Sequence, residues 1–130
     1  MELVLVVILV ALVEYLVFAG LVGRARAKYG VRAPATTGQP DFERVYRVHQ
    51  NTLEALVVFI PAVWIFGRYL NGHWAVGLGV VFIVARAIYA VGYIRDAEKR
   101  GVGAGLTGVV NIVLIVGGLV GLAKALPAVL

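Results

Sequence analysis

The chain has 130 residues, of which 62% are apolar and 15% charged, whereas soluble domains run near 45–50% apolar and about 25% charged. That apolar content suffices for four membrane spans of roughly 20 residues each, and a small water-soluble globule could not hide it. The formal charge of +5 gathers in short connections between apolar runs, a membrane-topology pattern that argues against a soluble enzyme, a disordered tail and a nucleic-acid module.

The first apolar run covers about 3–22, from Leu3 to Val22, and is interrupted only by Glu14 and Tyr15. It is longer than the roughly 7–15-residue core of a signal peptide and begins without a basic head, so it is read as a retained helix. Residues 23–44 form a polar connection in which Pro34, Gly38 and Pro40 oppose helical continuation. Asp41 is placed to cap a second helix, with Arg44 three positions on. That helix is expected from about Phe42 to Tyr69, with its span at about 45–70. Only Leu53 onward is lipid-like, so its first turns project beyond the hydrocarbon. Pro61 is a potential kink of a kind that neighbouring helices accommodate in a membrane.

Asn71-Gly72-His73 reads as a short turn, followed by a third span at about 74–95 with Trp74, Tyr89 and Tyr93 near its ends. The charged run Arg95–Arg100 continues that helix or frays. Gly101, Gly103 and Gly105 mark a break before a fourth span at about 106–126, closed by Pro127. Gly117 and Gly121 form a GxxxG pattern on which another helix can approach closely. The expected fold is an all-α integral membrane protein, one four-transmembrane-helix bundle over residues 1–130.

Orientation follows from the loops. With four spans, connections one and three share a side that holds Arg24, Arg26, Lys28, Arg32, Arg44, Arg47, Arg95, Lys99 and Arg100, against Arg68 and Lys124 on the other. Nine basic residues against two place connections one and three in the cytoplasm. Both termini then face outward.

Charged residues within spans usually face the bundle interior and mark function; here they are Glu14, Glu54 and Arg86. Arg47, Asn51 and Glu54 stand at i, i+4 and i+7, one face of the second helix. Arg86, Tyr89, Tyr93, Asp96 and Arg100 step by three or four along the third. Both stripes reach the basic end, where they would form a pocket suited to an anionic, carboxylate-bearing ligand. The bland alternatives are a buried ion pair of Arg86 with Glu54 or Glu14, interface-belt roles for Tyr89 and Tyr93, and cytoplasmic anchoring by Arg95, Lys99 and Arg100. His49, near the pocket, is a base or simply a hydrogen-bonding residue. His73 lies at the opposite end. With no cysteine in the chain, any sulfur chemistry must arrive with a ligand, and no metal is expected.

The segment Glu43-Arg44-Val45-Tyr46-Arg47, followed by Asn51 and Glu54, resembles the ERxxRxxxNxxE signature of the MAPEG family, the membrane-associated proteins of eicosanoid and glutathione metabolism. Pro34 and Thr36-Thr37-Gly38 before it, and Ala85-Arg86, Tyr89, Gly92-Tyr93 and Arg100 after it, keep the spacing of the family's leukotriene C synthase and microsomal glutathione transferase branches. The resemblance implies a homotrimer with glutathione as co-substrate, bound between neighbouring subunits near the cytoplasmic face. It assigns glutathione binding to Arg26, Arg47, Asn51, Glu54, Tyr89 and Tyr93. His49 stands where the synthase branch has a site-lining glutamine, and Arg100 is similar to the arginine that activates the thiol. Two positions depart from the synthase pattern. Ala55 replaces a tyrosine, which bears on ligand pose, and Ala27 replaces an arginine, which points away from leukotriene synthesis.

A free thiol has a pKa near about 8.5, so little of it is thiolate at neutral pH. A guanidinium beside the sulfur favours the anion, and arginine acts electrostatically because it does not give up its proton. The expected function is a glutathione transferase whose thiolate attacks a lipophilic electrophile arriving through the bilayer, with membrane lipids around it. Alternatives are a glutathione-dependent lipid hydroperoxide peroxidase and a non-catalytic lipid-binding scaffold; a small transporter is weaker because the polar groups cluster at one end. A bacterial inner membrane or the endoplasmic reticulum would be the host.

Overall fold

A computed structural model describes residues 1–130, apart from the side chain of residue 97. It has four long helices: α1 (Glu2–Tyr29), α2 (Pro40–Tyr69), α3 (Gly72–Arg95) and α4 (Gly101–Ala125), with 3-10 turns at Ala97–Arg100 and Leu126–Ala128. All four are long and apolar enough to cross a membrane. α2 and α3 form the centre, and α1 and α4 each pack against both.

The helix ends explain how one end of the bundle becomes polar. α1 continues past Val22 through Arg24, Arg26 and Lys28, so the connection shrinks to the residues between Tyr29 and Pro40. Gly30 ends it with φ 68°, a left-handed conformation that glycine adopts without Cβ strain. The Gly30 and Val31 amides both return to the Arg26 carbonyl. At the start of α2 the cap is Gln39 rather than Asp41. Its Oε1 accepts the Phe42 amide at 2.7 Å, with Pro40 in the first turn, while Asp41 pairs with Arg44 one turn on. Gln39 is extended and leaves its side chain free to turn back on the helix start, whereas Asp41 is already helical.

α3 ends at Arg95, where Asp96 caps the following 3-10 turn by accepting the Glu98 amide at 3.1 Å. α4 then begins at Gly101, so the glycines expected to break the chain lie within a helix. The reason is packing. A Cβ at Gly103 would stand 2.4 Å from the Tyr89 backbone nitrogen, so glycine lets α4 press against α3 beside the site.

Large apolar side chains face both ways. Phe59 and Phe82 stack inside the bundle with ring centroids 3.9 Å apart, among buried Val4, Val63 and Leu114. Leu16, Val57, Ile112 and Leu119 are exposed on the outer faces. In water such surface would be a liability; in hydrocarbon it is the solvated face.

Candidate functional site

The basic end of the bundle holds two adjoining hollows. One, about 360 Å³, is lined by Arg47 and Asn51 of α2, Tyr89 and Tyr93 of α3, Arg100, and Ala104 of α4. The other, about 480 Å³, is lined by Thr36, Pro40, Glu43, Arg44, Tyr46, Arg47 and Tyr93. Arg47 and Tyr93 border both. Each hollow falls in the roughly 300–1,000 Å³ range of small-ligand sites.

Helical arithmetic accounts for the α2 contribution, since Arg47, Asn51 and Glu54 advance about 400° and 300° at 100° per residue and so return to one face. Arg47 Nη1 pairs with Glu54 Oε1 at 3.3 Å, which tethers the guanidinium over that face. On α3, Tyr89 and Tyr93 stack with centroids 5.5 Å apart. The Arg100 guanidinium lies 6.0 Å from the Tyr93 ring. Two guanidiniums, an amide and two phenols therefore surround one space. Such a set matches a ligand with carboxylates and peptide groups, because guanidinium forks bind carboxylate well.

Arg26, His49 and Glu54 are not among the residues that line either hollow; Glu54 reaches the site only through its pair with Arg47. Arg26, in the last turn of α1, donates to the Ala35 carbonyl of the α1–α2 connection at 2.7 Å and lies 5.0 Å from the Phe42 ring centroid. His49 lies two residues from Arg47 and from Asn51, about 200° around the helix. It stacks on Tyr15 of α1 at 4.5 Å, and both its ring nitrogens are buried without a hydrogen-bond partner.

Arg86 differs from the ion-pair expectation. Among the described residues no carboxylate lies within ion-pair distance of it; Glu54 is engaged by Arg47. Arg86 is 1% exposed and donates to neutral oxygens: Thr52 Oγ1 at 2.9 and 3.2 Å, Asn51 Oδ1 at 2.8 Å and Thr107 Oγ1 at 3.3 Å. Thr107 in turn donates to the Gly103 carbonyl at 2.8 Å, which leaves its oxygen lone pairs for Arg86. The guanidinium also lies 4.3 Å from the Tyr89 ring centroid. Thr52 and Thr107 are site-supporting residues that the charge pattern did not flag; their signal was polarity within otherwise apolar spans.

Four helices long and apolar enough to cross a membrane, with a cationic, aromatic-lined hollow at one end, define a polytopic membrane protein. The sequence profile of the MAPEG family matches residues 4–120, and the chain belongs to that family. It is 52% identical over 105 residues to an uncharacterised protein of Synechocystis, a match covering 81% of this chain and 77% of that one. It is 44% identical over 103 residues to microsomal glutathione S-transferase 2 of Homo sapiens, covering 78% and 70%. Against leukotriene C4 synthase of Cavia porcellus it is 40% identical over 77 residues, covering 59% and 51%.

Proposed function

We propose that the protein is a membrane-embedded glutathione transferase. The observation that carries this reading is the convergence of Arg47, Asn51, Tyr89, Tyr93 and Arg100 on one cavity in a chain similar to microsomal glutathione S-transferase 2. Arg47 and the Asn51 amide hold the tripeptide's acceptor groups, Glu54 acts through the Arg47 with which it pairs, and the tyrosines wall the space. Arg100 stands beside the sulfur and stabilises the thiolate through its fixed positive charge. The thiol proton passes to water. The thiolate then forms a carbon–sulfur bond to a lipophilic electrophile entering from the bilayer, and the leaving group departs with the electron pair of the bond that breaks.

The reading includes a homotrimer, in which Arg26 serves the cavity of a neighbouring subunit, while His49 packs on Tyr15 inside its own bundle. Its support is that Arg26 lies away from the cavity of its own chain, at the α1–α2 connection. The cavity faces the cytoplasm, in keeping with the excess of basic residues at that end.

Addition of glutathione to the purified protein in lipid nanodiscs is expected to raise thiolate absorbance in the ultraviolet, and Arg100→Ala to abolish the rise. Absence of the signal in the wild type, or its persistence in Arg100→Ala, would count against catalysis and favour a lipid-binding scaffold. Native mass spectrometry from nanodiscs reads the assembly, with a monomer or dimer contradicting the trimer.

A further inference from the structure

A guanidinium has five N–H donors and no acceptor. The group that faces Arg86 from Asn51 must therefore be its carbonyl oxygen, as the 2.8 Å contact from Nη2 to Oδ1 has it. The amide nitrogen of Asn51, with its two donors, is left for the cavity that Asn51 lines. The alternative rotamer would set N–H against N–H in a buried place, where unmade hydrogen bonds are costly.

Arg86 itself has little freedom. It is buried, it is held by hydroxyls from α2 and α4, and the Thr107 hydroxyl is oriented by the Gly103 carbonyl. The same guanidinium lies over the ring of Tyr89, a second cavity-lining residue stacked on Tyr93. One buried cation thus touches two residues of the cavity wall without lining the cavity itself.

We infer that Arg86 is a positioning residue that fixes Asn51 with its amide donors towards the cavity, so that this part of the wall accepts only a hydrogen-bond acceptor such as a carboxylate or peptide carbonyl of the ligand. The inference deepens the function proposed above and rests on it.

Glutathione itself is the probe, titrated by calorimetry into the full chain in nanodiscs, with thiolate absorbance read at saturation. Arg86→Gln introduces an acceptor and frees the Asn51 amide to turn. Affinity is expected to fall roughly tenfold to a hundredfold, the weight of one hydrogen bond to a charged group. The thiolate fraction at saturation should stay as in the wild type, because Arg100 is untouched. Arg86→Lys has donors and no acceptor, so it keeps the Asn51 orientation and restores affinity to within a few fold. Asn51→Asp satisfies Arg86 with an oxygen but turns an acceptor to the cavity, and should bind as weakly as Arg86→Gln while staying folded.

Wild-type affinity in Arg86→Gln overturns the inference, as does a parallel loss of affinity and thiolate there, which would mark general disruption. If Arg86→Gln fails to fold, Arg86→Lys and Asn51→Asp decide, and equal affinities in these two overturn it. A wild type that binds no glutathione removes the proposed function and this inference together, an outcome distinct from tight wild-type binding with indifferent variants.

Discussion

Gly103 of α4 passes so close to Tyr89 of α3 that a Cβ at position 103 would lie 2.4 Å from the Tyr89 nitrogen and 2.6 Å from its Cα. Those neighbours are backbone and cannot swing aside. The contact fixes α4, and with it Ala104 and Thr107, against the helix that carries both cavity tyrosines.

Gly103→Ala is therefore expected to push the two helices apart and destabilise the fold by about 1–3 kcal/mol, as overpacking does. Glutathione affinity should fall with it, because Ala104 and Tyr89 line the same hollow. A thermal melt and a glutathione titration in nanodiscs check both; an unchanged melting temperature would contradict the packing argument.

The GxxxG pair on α4 should respond unequally. A Cβ on Gly121 would meet the Tyr69 backbone oxygen at 2.7 Å, whereas one on Gly117 would meet the Phe66 ring at 2.2 Å. A ring end can rotate and a backbone carbonyl cannot. Gly121→Ala is expected to lower the melting temperature more than Gly117→Ala, and Gly108→Ala, with open space around its Cβ, to be neutral or slightly stabilising because glycine weakens a helix by about 1 kcal/mol relative to alanine.

The Arg47–Glu54 pair is half-exposed on both sides, so Glu54→Gln should change stability by less than about 1 kcal/mol. Its effect should appear in binding. An untethered Arg47 must be ordered by the ligand, and ordering a long side chain costs roughly 0.5–1.5 kcal/mol. Glutathione affinity is thus expected to fall several-fold in Glu54→Gln and further in Arg47→Ala. A titration that ranks Glu54→Gln below Arg47→Ala would contradict the tether.

Because the chain has no cysteine, single introduced cysteines report sidedness cleanly. Thr37 lies between α1 and α2, and His73 opens α3 at the opposite end; both are exposed. On sealed membrane vesicles with the cytoplasmic face outward, a membrane-impermeant maleimide should label Thr37→Cys directly and His73→Cys only after permeabilisation. The reverse pattern would place the cavity outside the cytoplasm.

Hydrophobic composition and the runs of apolar residues were enough to show four helices and the basic end, because a bilayer leaves the chain few other ways to satisfy its backbone. The α2 stripe was equally legible, since a spacing of four and then three residues returns to one helical face whatever the tertiary context. Helix ends were less so. Arg24, Arg26 and Lys28 read as a loop by polarity but continue α1, and Gln39 rather than Asp41 caps α2.

What the one-dimensional pattern alone determined is which faces are apolar and which carry charge, because periodicity is a property of each helix by itself. Which helices share those faces belongs to the tertiary structure. Only there does Arg86 turn from a candidate ion-pair partner into a cation held by Thr52, Thr107 and Asn51, and only there does His49 lie with Tyr15 on the far side of α2. Partners more than twenty residues apart are chosen by packing between helices, and small residues such as Gly103 set that packing at distances no local pattern encodes.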